Sequence, residues 1–300
     1  MTASGPRASR PGAPDLLTIL ESVVAPVTAL TALMYYFGLL HAYWFLQTFG
    51  VEYTVMGFTT YDYLLRSADG LFVPIAVVAG TGLAVAWTYG PLAARIPPAP
   101  RRTVLRVGPH VALGAGSLLL VGAIIGVVRP RTWYPVVGLP GLALALGVLA
   151  VNAAVRMYRA RTLAERAALR GTPAFWEWAA VFLLVNIGLF WAAADYSAAV
   201  GGQRGADVVA ALPGWPDVVL YSERALNLSA PGVRDTICAD PESAYRYRYD
   251  GLKLILQSGD QYLFLPEGWT PNGGSALVMP RTDALRLDFA TAGTARNMAC

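Results

Sequence analysis

Five long apolar runs separated by polar stretches dominate the first two-thirds of the chain: about Val23 to Phe45, Leu71 to Tyr89, His110 to Val128, Tyr134 to Ala154 and Phe175 to Ala194. Each approaches the roughly 20 residues that a helix rising 1.5 Å per residue needs to cross about 30 Å of hydrocarbon. The pattern predicts a transmembrane all-α bundle of about five helices over residues 16–196. The first run is longer than the about 7 to 15 residues of a signal-peptide core, and no clear small-residue cleavage site follows it, so a retained helix is expected. Ahead of it, residues 1–15 carry Arg7 and Arg10 among Ser, Pro, Gly and Ala without periodicity, which predicts a disordered cytoplasmic tail.

After Tyr196 the runs shorten and become polar. Gln203 to Leu212 has a helical pattern that stops at Pro213-Gly214, and strands are expected at Asp217 to Tyr221, Ala225 to Leu228, Ala276 to Met279 and Ala284 to Phe289. Ser258-Gly259-Asp260 between Leu252 to Gln257 and Gln261 to Leu265 signals a hairpin. Residues 197–300 are therefore expected to form a small C-terminal α+β domain with a mostly antiparallel sheet.

Composition agrees with a membrane class: 55% hydrophobic and 14% charged residues, with a mean hydropathy of +0.46. The net charge of +4 is spread in clusters beside apolar runs, which argues against a nucleic-acid partner and for topology signals. Arg95, Arg101, Arg102 and Arg106 lie between the second and third runs, and Arg156, Arg159, Arg161, Arg166 and Arg170 between the fourth and fifth. Both loops are expected in the cytoplasm, placing the C-terminal domain outside it. Arg129 and Arg131 oppose this rule in a short loop. Trp44, Trp87, Trp133, Trp176, Trp178 and Trp191 fall near run ends, as interfacial anchors do. The Arg156 to Arg170 stretch also has the pattern of a basic amphipathic helix able to rest on anionic lipid; the plainer reading is a positive-inside signal alone.

Small residues recur four apart at Gly82 and Ala86, Gly122 and Gly126, and Ala143 and Gly147, each pair offering a flat face for helix packing within the chain or between copies. The runs carry almost no ionisable residue at mid-depth, which speaks against ion-coupled transport. His41 reads as an interfacial polar residue and Asn186 as an interhelical hydrogen-bonding one. Thr59 and Asp62 have capping-box spacing, with Asp for the usual Glu, so a short helix is expected to begin there. Glu52, Asp62 and Asp69 are placed where they would face Arg129 and Arg131 across the bundle.

No catalytic constellation is present in the C-terminal region. Both histidines, His41 and His110, lie outside it, and no P-loop, H-E-x-x-H, S-x-x-K or C-x-x-C occurs. No cofactor and no metal site is expected. Asn227-Leu228-Ser229 is a formal glycosylation sequon that reads as coincidence. Cys238 and Cys300, the only cysteines, would bond if the region is extracytoplasmic; the alternative is two unpaired thiols. Tyr245, Arg246, Tyr247, Arg248 and Tyr249 alternate with period two, which in a strand places three tyrosines on one face and two arginines on the other. Such a ribbon suits an anionic glycan or partner surface, or an ordinary half-buried strand with an exposed Arg face.

Three stretches resemble a group of uncharacterised actinobacterial multi-spanning integral membrane proteins: Tyr35-Tyr36-Phe37-Gly38, Gly57 through Ser67, and Gly251-Leu252-Lys253-Leu254 with Tyr262 through Trp269. The resemblance implies lineage and architecture and transfers no active site. The function expected is a non-enzymatic protein of the cell membrane displaying an extracytoplasmic sensing or interaction domain. Its partners would be bilayer lipid, anionic lipid at the cytoplasmic face, and an envelope protein or glycan. A channel or transporter component, and a membrane enzyme using Asp62 and Asp69 on lipid-linked substrates, are the alternatives.

Overall fold

The computed structural model describes residues 16–95, 98–129, 136–163, 173–240 and 242–295. The expected N-terminal tail lies outside them. Five helices come first: α1 Leu16–Gln47, α2 Thr60–Arg95, α3 Pro98–Val128, α4 Leu139–Leu163 and α5 Pro173–Ala211. All five contain segments long and apolar enough to cross a membrane. Their large apolar side chains point outward, Phe72 at 75% exposure and Trp176 at 73% among them. A surface of this kind requires hydrocarbon around it, and the chain is a membrane protein.

The second span is longer than its apolar run. Thr59 and Asp62 form the expected reciprocal cap, with Thr59 N donating to Asp62 Oδ2 at 2.8 Å and Asp62 N to Thr59 Oγ1 at 3.3 Å. The helix this cap starts is α2 itself, rather than a separate short one. At the same end of the bundle α5 runs on, unbroken over 39 residues in all, absorbing the helix expected over Gln203 to Leu212 and carrying the bundle past Tyr196. The continuity has a packing cause. A Cβ on Gly201 would stand 2.4 Å from the His41 carbonyl oxygen, and one on Gly205 would stand 3.1 Å from the Phe45 carbonyl oxygen, so bare glycine lets α5 lie against α1 along its last turns.

Close helix packing uses Gly147, one of the residues the spacing suggested, together with glycines outside the spaced pairs. Gly147 meets Gly116 and Leu120 of α3, and Gly141 of α4 meets Gly188 of α5 backbone to backbone. Ala143 is buried and Gly126 lines a cavity beside Trp44 and Trp191, whereas Gly82 has nothing within 4 Å and Ala86 is exposed. A small residue marks a possible contact face, and only the position of the neighbouring helix decides whether it is used.

A one-turn 3-10 helix, Tyr53–Met56, joins α1 to α2, and another, Leu212–Gly214, leads from α5 into the sheet. The strands are β1 Asp217–Ser222, β2 Arg234–Ile237, β3 Tyr247–Ser258, β4 Gln261–Pro266, β5 Leu277–Pro280 and β6 Leu285–Ala290, all paired antiparallel in the order β5-β4-β3-β1-β6. β2 pairs with the first half of β3, on the edge that β4 occupies farther along. Ala225 to Leu228 is no strand: Asn227 adopts a left-handed φ of 50°, and Leu226 and Leu228 fold onto the sheet as coil. β2 lacked any signal because its four residues, Arg-Asp-Thr-Ile, are all exposed.

Sheet and bundle share one core. Phe45, Leu46 and Phe49 at the end of α1, with Met56, pack into the same buried cluster as Leu263, Leu265 and Trp269. A second cluster, built on Tyr249, Leu252 and Phe264, fills another part of the sheet.

Candidate functional site

Three helices bring ionisable side chains to the sheet-side end of the bundle. His41 lies six residues before the end of α1 and Arg66 six residues after the start of α2. At 1.5 Å per residue both sit about 9 Å inside that end. With Asp69 of α2, Arg204 and Asp207 of α5, and Trp215, they line a cavity of about 390 Å³. A second cavity of about 440 Å³ shares Asp69, Arg204 and Asp207 and continues along Phe72, Val73 and Val200. The two form a groove between α2 and α5, polar near the sheet and apolar toward the lipid-facing surface.

The polar end has uneven partnering. Arg204 Nη2 lies 3.3 Å from Asp69 Oδ2, and Gln203 Nε2 donates to Asp207 Oδ1 at 2.9 Å, so both carboxylates are engaged. The Arg66 guanidinium instead lies over Phe58 and Phe45, 4.9 and 5.6 Å from the ring centroids, and makes no ion pair among the described residues. His41, expected at the interface, is buried to 4% exposure with neither ring nitrogen hydrogen-bonded. A buried imidazole without a partner forfeits the hydrogen bonds it made to water. Around this end the helices are locked: Ser197 Oγ donates to the Phe37 carbonyl at 2.8 Å, and Gly70 lies against Ser197.

The expected pairing across the bundle takes a different form. Asp69 is held by Arg204, Asp62 by its cap and by Ser258, while Glu52 and Arg129 are exposed and Arg131 lies outside the described residues. The reason is length: α5 extends past the apolar run and delivers Arg204 to Asp69 first. Farther along the chain, Arg156 stacks on Trp178 at 4.1 Å and Arg159 pairs with Glu177, fastening α4 to α5; residues 164–172 of the basic stretch lie outside the described residues.

The Tyr–Arg ribbon is only partly open. Tyr247 and Tyr249 face the sheet core, and the Tyr249 hydroxyl accepts from Leu226 N at 2.7 Å. Arg248 is buried, its Nη2 donating to Asp250 Oδ1 and the Ala295 carbonyl, both at 2.8 Å, which corrects the expected exposed Arg face; Arg246 is exposed. Tyr245 turns elsewhere, donating to the Asp283 carbonyl at 3.1 Å and lining a polar recess of about 450 Å³ with Asp260, Tyr262, Arg281 and Asp283. Cys238 is buried beside Val219, Tyr221 and Ala295; Cys300 lies outside the described residues.

One functional-looking group escaped the sequence reading. Lys253, the only lysine in the chain, is buried in β3 and donates to Asp217 Oδ1 and to the Trp215 carbonyl, both at 2.6 Å. Trp215 Nε1 in turn donates to the Leu254 carbonyl at 3.0 Å, and Gly293 N to Asp217 Oδ2 at 2.7 Å. Burial alone would raise the Asp217 carboxyl, but the bonds from Lys253 and Gly293 outweigh it and hold the group below its ordinary value. The signal was a charge at an interior position of an apolar run, Leu252-Lys253-Leu254. This network fastens the segment that follows α5, at Trp215, to the sheet and is structural. Among the described residues no group of three His, Cys, Asp or Glu side chains is placed to hold a metal ion. Comparison with protein-family models, with curated proteins and with solved structures gave no match.

Proposed function

We propose that this protein is a non-enzymatic component of the cell membrane, of the actinobacterial lineage its motifs resemble, with a cytoplasmic N-terminus and an extracytoplasmic sheet that binds or senses a partner. The observation that carries this reading is the shared core: Phe45 and Leu46 of α1, with Phe49 just after it, pack in one cluster with Leu263, Leu265 and Trp269. A sheet joined this way is not a tethered passenger. A partner that shifts the sheet shifts the ends of α1 and α5 with it.

The recess of Tyr245, Tyr262, Asp260, Arg281 and Asp283 is the sheet surface best suited to a polar partner such as a glycan or an envelope protein, because it combines aromatic faces with charges of both signs. A carboxylate-based enzyme loses support, since Asp62 and Asp69 are committed to different partners. A pore loses support because Gly141 and Gly188 close α4 on α5.

Orientation is the first test. Ser229 is exposed on the coil after β1. A Ser229→Cys chain treated in intact cells with a membrane-impermeant maleimide is expected to label, with the unchanged chain as the control. Labelling that needs cell lysis would place the sheet in the cytoplasm and end the external-domain reading.

A further inference from the structure

We propose that the groove between α2 and α5 is a binding site for one phospholipid, its phosphodiester on Arg66 and His41 and an acyl chain along Phe72 and Val200. Charge selects the headgroup. Asp69 is ion-paired with Arg204 and Asp207 accepts from the Gln203 amide, while the Arg66 guanidinium, among the described residues, has no ion pair in the groove. Its planar fork of N–H donors suits two oxygens of a phosphate.

His41 supplies the second reason. Its imidazole is buried in the groove wall with neither nitrogen hydrogen-bonded, so its N–H is the polar group there that a phosphate oxygen could satisfy. Depth supplies the third. Arg66 and His41 lie about 9 Å inside the sheet-side end of the bundle, nearer that end than Phe72, so a headgroup on them would sit shallower than its acyl chain. The apolar continuation past Phe72, which is 75% exposed toward lipid, gives a chain lateral entry from the bilayer. This site is independent of which side of the membrane the sheet occupies, so failure of the labelling experiment leaves it standing.

The test uses the full chain, purified and delipidated in mild detergent, with thermal unfolding followed as ligands are added. Short-chain phosphatidylglycerol is expected to raise Tm in a saturable way, and the matching diacylglycerol, which lacks the phosphate, is expected to leave it unchanged. Arg66→Gln should weaken the half-saturating concentration by about ten- to a hundred-fold, the loss of a charge-assisted hydrogen-bond pair. His41→Phe should weaken it by about ten-fold, the loss of one neutral hydrogen bond. An equal shift by the diacylglycerol, or an unchanged response in Arg66→Gln, overturns the proposal. Inorganic phosphate or glycerol phosphate giving the full shift also overturns it, by moving the ligand from lipid to solution. If Arg66→Gln does not fold, the comparison of lipids on the unchanged chain still decides.

Discussion

The Ser258 hydroxyl donates to Asp62 Oδ2 at 3.1 Å, joining the end of β3 to the N-terminal cap of α2 across 196 positions of the chain. The same carboxylate oxygen accepts from the backbone and hydroxyl of Thr59, each at 2.8 Å. Gly259, with a left-handed φ of 52°, brings the hairpin turn close enough that a Cβ there would stand 2.7 Å from the Gly57 carbonyl oxygen. A single aspartate thus starts a membrane helix and seats the sheet upon it.

Asp62→Ala is expected to destabilise the protein by about 1–2 kcal/mol, the cost of a lost helix cap plus one tertiary hydrogen bond. Ser258→Ala should cost less, about 0.5–1.5 kcal/mol. In a double-mutant cycle followed by unfolding in detergent, the double variant should cost less than the sum; strict additivity would show that the two groups do not interact.

Helix packing gives a contrast between two glycines of similar appearance. Gly188→Ala places a Cβ 2.7 Å from the Gly141 carbonyl oxygen and 2.8 Å from Ala145 N, both backbone atoms. It should cost about 1–3 kcal/mol, because neither helix yields without separating the pair. Gly82→Ala meets nothing within 4 Å and should be neutral or stabilising by up to about 1 kcal/mol. Melting temperatures of the two variants measure the difference.

The Lys253–Asp217 pair predicts acid sensitivity of defined sign. Asp217 is held below its ordinary value of 3.8 in the folded chain. Its contribution is therefore present above the unfolded value and is lost as pH falls through the folded one. Unfolding curves taken from pH 7 downward should show a stability loss below about pH 4 that Asp217→Asn lacks. Lys253→Met, which strands a buried carboxylate, should cost about 3–5 kcal/mol at pH 7, and the pair Lys253→Met with Asp217→Leu should recover much of that.

If the sheet is extracytoplasmic, Cys238 and Cys300 should be bonded. Peptide mapping under non-reducing conditions should recover residues around 238 and 300 as one linked species that reduction separates. Two separate peptides without reduction would count against the bridge.

Much of this fold is legible in the chain because the bilayer imposes simple rules. Length and hydropathy alone place the five helices, and period-two patterns with Ser258-Gly259-Asp260 place the β3–β4 hairpin. Helix ends were less legible where they leave the hydrocarbon: α5 continues past Tyr196 because Gly201 and Gly205 fit the α1 backbone, a fact of two surfaces rather than of one segment. The groove was legible only as scattered charges. His41, Arg66 and Arg204 lie on three helices, and nothing in their separation along the chain says that they meet.

The sequence by itself determined the class, the number of helices, the antiparallel hairpin and the Thr59–Asp62 cap, since each depends on residues within a few turns of one another or on a bulk solvent preference. Tertiary structure alone decided the rest. It made Gly188 a contact and Gly82 a lipid-facing position, turned Arg248 inward to Asp250, gave Asp69 to Arg204 rather than Arg129, and, among the described residues, set Arg66 over two rings without an ion pair and left His41 without a hydrogen bond. The physical reason is common to all four. A side chain's partner is set by the three-dimensional approach of another element, and short-range attraction acts only on groups that packing has already brought within a few ångströms.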